Sequence, residues 1–125
     1  MRGIIVLFMT TLAINSALAS PKAFISFSMP QKAIEAIASD ASRLGIALFL
    51  NGLIEDDMKK TVAEIMRLSQ KFPNISLQID PVSFEKYGID KVPALVMDYP
   101  NEFDVFFGNY HLDDALSYLK HRRGA

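Results

Sequence analysis

The apolar positions of residues 20–125 switch between continuous or alternating runs and a helical spacing, and each switch marks an element. Residues 23–28, AFISFS, are a short apolar and aromatic run between Pro21 and Pro30, the pattern of a buried strand. Pro30 suits the first turn of a helix, where a missing N–H costs nothing. Ala33, Ile34, Ile37, Ala38, Ala41 and Leu44 then recur at helical spacing, with Lys32, Glu35, Ser39 and Arg43 on the other faces, and Gly45 supplies the stop. Residues 46–50 form a second unbroken apolar strand, closed by the turn pair Asn51-Gly52. Two strands joined through one helix predict a parallel pair with a right-handed crossover.

The pattern over 55–72 predicts a long amphipathic helix with Glu55, Asp56 and Asp57 at its start. Its apolar stripe is expected to run through Met58, Val62, Ile65, Met66 and Ser69 or Phe72, and Pro73-Asn74 stops it. Residues 75–79 alternate and read as a third strand; Asp80 then caps a short helical turn with Pro81 at its first position and Phe84 and Tyr87 facing inward. Gly88 lets the chain reverse. Residues 94–97 and 103–107 read as an antiparallel hairpin across Asp98-Tyr99-Pro100-Asn101, with one of Phe106 and Phe107 outward. Leu112, Ala115, Leu116 and Leu119 are the apolar face of a closing helix with Asp113 and Asp114 in its first turn. The expected fold is a single α/β domain, β-α-β-α-β-(short α)-β-β-α, with a mixed central sheet.

Residues 1–19 have Arg2, an apolar run over 4–14 and small residues before Ser20, the pattern of a cleavable secretory leader. Thr10, Thr11, Asn15 and Ser16 make the run shorter than a spanning helix requires. The expected organisation is therefore a signal peptide at 1–19 and one exported domain at 20–125, with membrane contact only through the leader. A bacterial envelope compartment follows from this reading.

The net charge is −1, and the one basic run, Lys120-His121-Arg122-Arg123, falls where cations face the negative end of the last helix, so nucleic acid is not an expected partner. The chain has no cysteine, which excludes disulfides, thiol catalysis and thiolate metal sites. Ser26 or Ser28 with His111 or His121 could supply hydrolysis only if base and nucleophile met within hydrogen-bond reach, and the topology separates them. Two scattered histidines do not make a metal site, and Asp56-Asp57 and Asp113-Asp114 read as helix-dipole partners. No catalytic, cofactor-binding or metal-binding residues are expected.

A proline, Pro93, stands just before the first hairpin strand in GIDKVPALVM, and FISFSMP is a strand turning into a helix. Together these resemble thioredoxin-like proteins along the whole of 20–125, with FISFSMP where those proteins run into a C-x-x-C helix. The helix over 55–72 is similar to the insertion of periplasmic disulfide isomerases. SFSMP, NGLIEDDMKKTV and QIDPVSFEKYGIDKVPALV, in that order, resemble the TrbC family of F-type conjugative transfer proteins, which assemble the pilus of a type IV secretion system. Where that family often has a basic residue before Gly52, this chain has Asn51.

The resemblance implies that Pro93 is the cis-proline opposite the Ser28-Met29-Pro30 corner. It also implies that Ser28, Met29, Pro30, Val92 and Pro93 are the candidate partner-binding residues, with Val92 and Met29 flanking an apolar groove for a partner segment. The bland reading stands beside it, in which Pro93 shapes the hairpin and Met29 packs in the core. The expected function is a non-enzymatic periplasmic assembly factor in a Gram-negative bacterium, with transfer proteins of the TraW type or pilin as partners. The alternative is a general chaperone-like relative of disulfide isomerases without redox activity.

Overall fold

The computed structural model describes residues 20–108 and 111–123, so the expected leader and Tyr110 lie outside the described residues. In chain order the elements are β1 (Ser20–Ile25), α1 (Gln31–Leu44), β2 (Ala47–Leu50), a 3-10 turn (Ile54–Asp56), α2 (Met58–Lys71), β3 (Leu77–Ile79), α3 (Pro81–Lys86), β4 (Ala94–Asp98), β5 (Phe103–Phe107) and α4 (Leu112–Arg122). The strands form one sheet in the order β3-β2-β1-β4-β5. β1, β2 and β3 run parallel, whereas β4 is antiparallel to β1 and β5 to β4. This is the mixed sheet expected from the sequence.

Alternation along the strands sorts the core into two layers. Ala23, Ile25, Leu48, Leu50, Leu95 and Met97 face α1, α2 and α4, where Ile34, Ile37, Leu68, Leu112, Ala115 and Leu119 meet them. Phe24, Phe49, Ala94 and Val96 face the opposite way, against Phe84, Tyr87 and Ile89 from α3 and the segment after it. α3 forms because Asp80 accepts from the Ser83 N–H at 3.1 Å and Pro81 begins the helix, as its sequence predicts. α1 ends at Gly45, whose φ of 71° is open to a residue without Cβ.

Several expectations shift, among them the third strand, which begins at Leu77 and not at residue 75. The first strand starts at Ser20 and ends at Ile25, because pairing to β4 reaches back to Ser20 while Ser26 already accepts the turn-closing bond from the Met29 N–H, 3.1 Å. Pro30 is the residue before α1, not its first helical residue, with ψ of 140°. α2 starts at Met58, because Asp57 caps it by accepting from the Lys60 N–H at 3.1 Å, while Glu55 and Asp56 sit outside with positive φ. The stripe expected to be buried on α2 is also only partly the one observed.

Met58, Val62 and Met66 of that stripe are exposed, whereas Thr61 and Leu68 are fully buried, with Ile65 and Phe72 packed against the core. Two neighbouring faces of α2 share a helical period, and polar bonds select between them. Thr61 can enter the core because its hydroxyl donates to the Asp57 carbonyl and accepts from the Ile54 N–H, each at 2.8 Å. The rotation is also held by Glu35 of α1, which accepts from Lys71 at 2.8 Å and from Arg67 at 3.2 Å. The Lys71 contact, then those of Gln31 and Arg67, hold the Glu35 carboxyl down to about 2.

On the other layer the Tyr87 hydroxyl donates to Asp98 at 2.7 Å, with Lys22 3.5 Å from the same carboxylate oxygen. Burial, followed by the bond to Asp98, pushes the Tyr87 phenol up to about 12. A phenol raised above its unfolded value of about 10 stabilises the fold fully below that pH, and the contribution is lost as pH rises towards the folded value. The stability advantage of the native protein over Tyr87→Phe, measured by urea unfolding, is therefore expected to shrink between pH 10 and 12. A constant difference across that window would contradict it.

Candidate functional site

The corner between β1 and α1 is held by its own side chains. The Ser26 hydroxyl accepts from the Ser28 N–H at 3.1 Å and shares a 2.7 Å hydrogen bond with the Ser28 hydroxyl. The Ser26 N–H donates to the Met29 sulfur at 3.4 Å, so the thioether folds back over the turn and packs on the α1 side of the core. Ser28 and Pro30 are exposed; the Pro30 carbonyl accepts from Ala33 and Ile34 at 3.0 and 3.1 Å and starts the helix.

Facing this corner across a cleft of about 350 Å³ is the segment 50–55, with Ser26, Phe27 and Ser28 as the other wall. The cleft lies beyond the carboxyl ends of the parallel strands β1 and β2, the position at which open α/β sheets hold ligands. Glu55 and Asp56 have φ of 48° and 56°, a left-handed conformation that costs non-glycine residues about 1–2 kcal/mol each. It is held by the Asp57 N–H donating to the Ile54 carbonyl at 2.7 Å and by a 2.6 Å Lys60–Glu55 ion pair. The sequence signalled a turn at Asn51-Gly52, but no glycine announces the second bend at Glu55 and Asp56, so this wall was not among the candidate residues.

Val92 and Pro93 lie on the other side of β1, ahead of β4, and the bond between them is cis. The Pro93 carbonyl accepts from the Gly108 N–H at 3.0 Å, and Val92 packs against the cluster that contains Phe24, Phe84 and Tyr87. Met29 and Val92 thus pack into opposite layers of the sheet. The five candidate residues share one end of the sheet, but the cleft wall is built from Ser28 and the 50–55 segment, not from Val92 and Pro93.

The serines are bonded to one another, while His111 lies 3.5 Å from Asp40 and His121 contacts the Ser117 carbonyl at 2.8 Å. Both histidines are engaged on or beside α4, and neither supplies a base to the corner. Among the described residues no group of three or more His, Cys, Asp or Glu side chains is placed to hold a metal ion. What the corner offers chemically is the bonded pair of serine hydroxyls and the Glu55 carboxylate at the cleft wall.

Residues 23–119 match the model of the type-F conjugative transfer system pilin assembly protein, TrbC. The chain belongs to this family. It is 33% identical over 93 residues to the periplasmic protein TrbC of Escherichia coli strain K12, an alignment covering 74% of this chain and 44% of that protein. Among solved structures it is similar to the exposed lipoprotein thioredoxin of Streptococcus pneumoniae strain TIGR4, with a TM-score of 0.59, 14% identity, and 88% and 89% of the two chains covered. StoA of Bacillus subtilis gives a TM-score of 0.54 at 14% identity over 81% of each chain. The fold is thioredoxin-like. In this chain the β1–α1 corner carries Ser28, Met29 and Pro30, and the sequence has no cysteine to perform thiol–disulfide exchange.

Proposed function

We propose that the chain is exported by a leader over residues 1–19 to the periplasm of a Gram-negative bacterium and serves there in assembling the F-type conjugative pilus through protein–protein contacts, without catalysis. The observation that carries this reading is the family match, which runs from β1 through most of α4 and so includes the corner, the cleft and Val92–Pro93. The Escherichia coli relative is a periplasmic protein, which supports the compartment. No helix among the described residues is long and apolar enough to cross a membrane.

The contact surface in this reading is the end of the sheet that carries Ser28, Met29, Pro30, Val92 and Pro93, widened by the cleft wall at 50–55. Its occupant is an extended segment of another transfer protein, of the TraW type, or of pilin. Deleting the gene is expected to abolish pili and mating while leaving the disulfide status of other envelope proteins unchanged; normal mating in a verified deletion strain would sink the pilus role.

The surface itself is tested by Gly52→Phe and Ser28→Arg. A Cβ at Gly52 meets nothing within 4 Å, and Ser28 is exposed, so both variants are expected to fold while obstructing the cleft. Co-purified transfer protein should fall about tenfold or more, the loss typical of a blocked contact centre. Undiminished co-purification with both folded variants places the interface elsewhere.

A further inference from the structure

β5 is an edge strand whose outward side is unusually sticky. The Gly108 N–H donates to the Pro93 carbonyl and the Tyr99 N–H to the Glu102 carbonyl, so even-numbered positions between them bond inward to β4. The main-chain groups of Phe103, Val105 and Phe107 consequently point away from the sheet. Among the described residues none of them has a hydrogen-bond partner outside it. Their side chains share the α3 layer of the sheet, where Phe103 is 41% and Phe107 39% exposed and Val105 is half-buried. Edge strands are ordinarily protected by charges, proline or a covering element. Here the one charge, Asp104, lies on the other face and is bound to Arg123 at 2.8 Å.

We propose that β5 pairs with β5 of a second copy of this chain, antiparallel about a two-fold axis at Val105. The register is self-complementary. Val105 meets its own counterpart, Phe103 meets Phe107 of the second copy and Phe107 meets Phe103. Each of these pairs joins positions whose N–H and C=O both point outward, so each can exchange both ladder bonds. The two-fold brings the exposed rings together as cross-strand aromatic pairs and sets each Asp104 opposite a Phe106 instead of opposite another carboxylate. Two five-stranded sheets become one continuous sheet. β3, the other edge, has only three residues and a shorter ladder to offer.

Sedimentation velocity of the purified protein over a concentration series tests this, with amide hydrogen exchange as a second readout. Expected are a concentration-dependent dimer and protection of the Phe103, Val105 and Phe107 amides that grows with dimer population. Val105→Pro removes an N–H that the monomer's ladder does not use, and Phe107→Lys places a cation opposite Phe103 of the second copy. Because each change enters the dimer twice, either should raise its dissociation constant by about 10- to 100-fold. Phe107→Lys decides the matter if the proline variant fails to fold. A monomer at every concentration, or a dimer that folded variants leave intact, overturns the proposal.

Discussion

Phe24→Ala is expected to cost about 3–5 kcal/mol of folding stability, the range for deleting a large ring from a well-packed core. Phe24 sits on the central strand with no exposed surface. Its ring stacks on Phe49 at 5.1 Å and meets Phe84 and Tyr87 edge-on at 4.9 and 5.9 Å. The cavity cannot readily collapse, because the elements around it are held by polar bonds as well as by packing. The start of α3 is fastened to β2 by the Asp80 N–H, which donates to the Leu50 carbonyl at 2.8 Å, and Tyr87 is held by its 2.7 Å bond to Asp98. Domains of this size have about 5–15 kcal/mol in total, so the variant should have a much lower urea midpoint or no cooperative transition. Phe103→Ala is the control: that ring also meets Tyr87 edge-on, at 4.9 Å, but is 41% exposed, and its loss should cost at most about half as much. Equal losses in the two variants would show that the α3 layer is not organised around Phe24.

Asp40→Ala is expected to destabilise by about 2 kcal/mol, or roughly 8–16 °C in Tm. Asp40 is a buried carboxylate on α1, and it acts on a different helix. One oxygen accepts from the Leu112 N–H at 3.0 Å and the other from Arg43 at 3.0 Å. His111, the residue before α4, makes no side-chain cap, so Asp40 supplies both the missing acceptor and a negative charge at that helix N-terminus. Without it the buried Leu112 N–H is left unsatisfied, a loss of about 2–3 kcal/mol only partly offset by alanine's better helix propensity. Arg43 is exposed, and Arg43→Ala should stay within about 1 kcal/mol. Thermal unfolding of the two variants separates a cap on α4 from a surface ion pair; equal shifts would refute the cap.

Much of this architecture was legible in residue order. Strand, helix and hairpin order followed from apolar period, and Asp80-Pro81, Gly45 and the Pro30 boundary marked element ends because their preferences are local. The corner at Ser28, Met29 and Pro30 was equally visible, as was Pro93 once the thioredoxin-like frame had been recognised. Asp40 was not: in sequence it is one polar residue on a helix, and its partner lies 72 residues away. The bend at Glu55 and Asp56 was hidden too, because the conformation is imposed on residues that do not prefer it.

The sequence by itself therefore determined the order of elements, the absence of thiol chemistry and the family, since these rest on period, composition and short motifs. Only the tertiary structure decided which face of α2 is buried, because Met58, Val62 and Met66 suit burial as well as Ile65 and Leu68 do. It was decided by the bonds of Thr61 to its neighbours and of Arg67 and Lys71 to Glu35 across the helix pair. The same holds for the corner, where the serines and Met29 were readable but the opposing wall was not. A cleft is a relation between two segments, and its shape depends on how the chain after β2 is bent and stapled to α2.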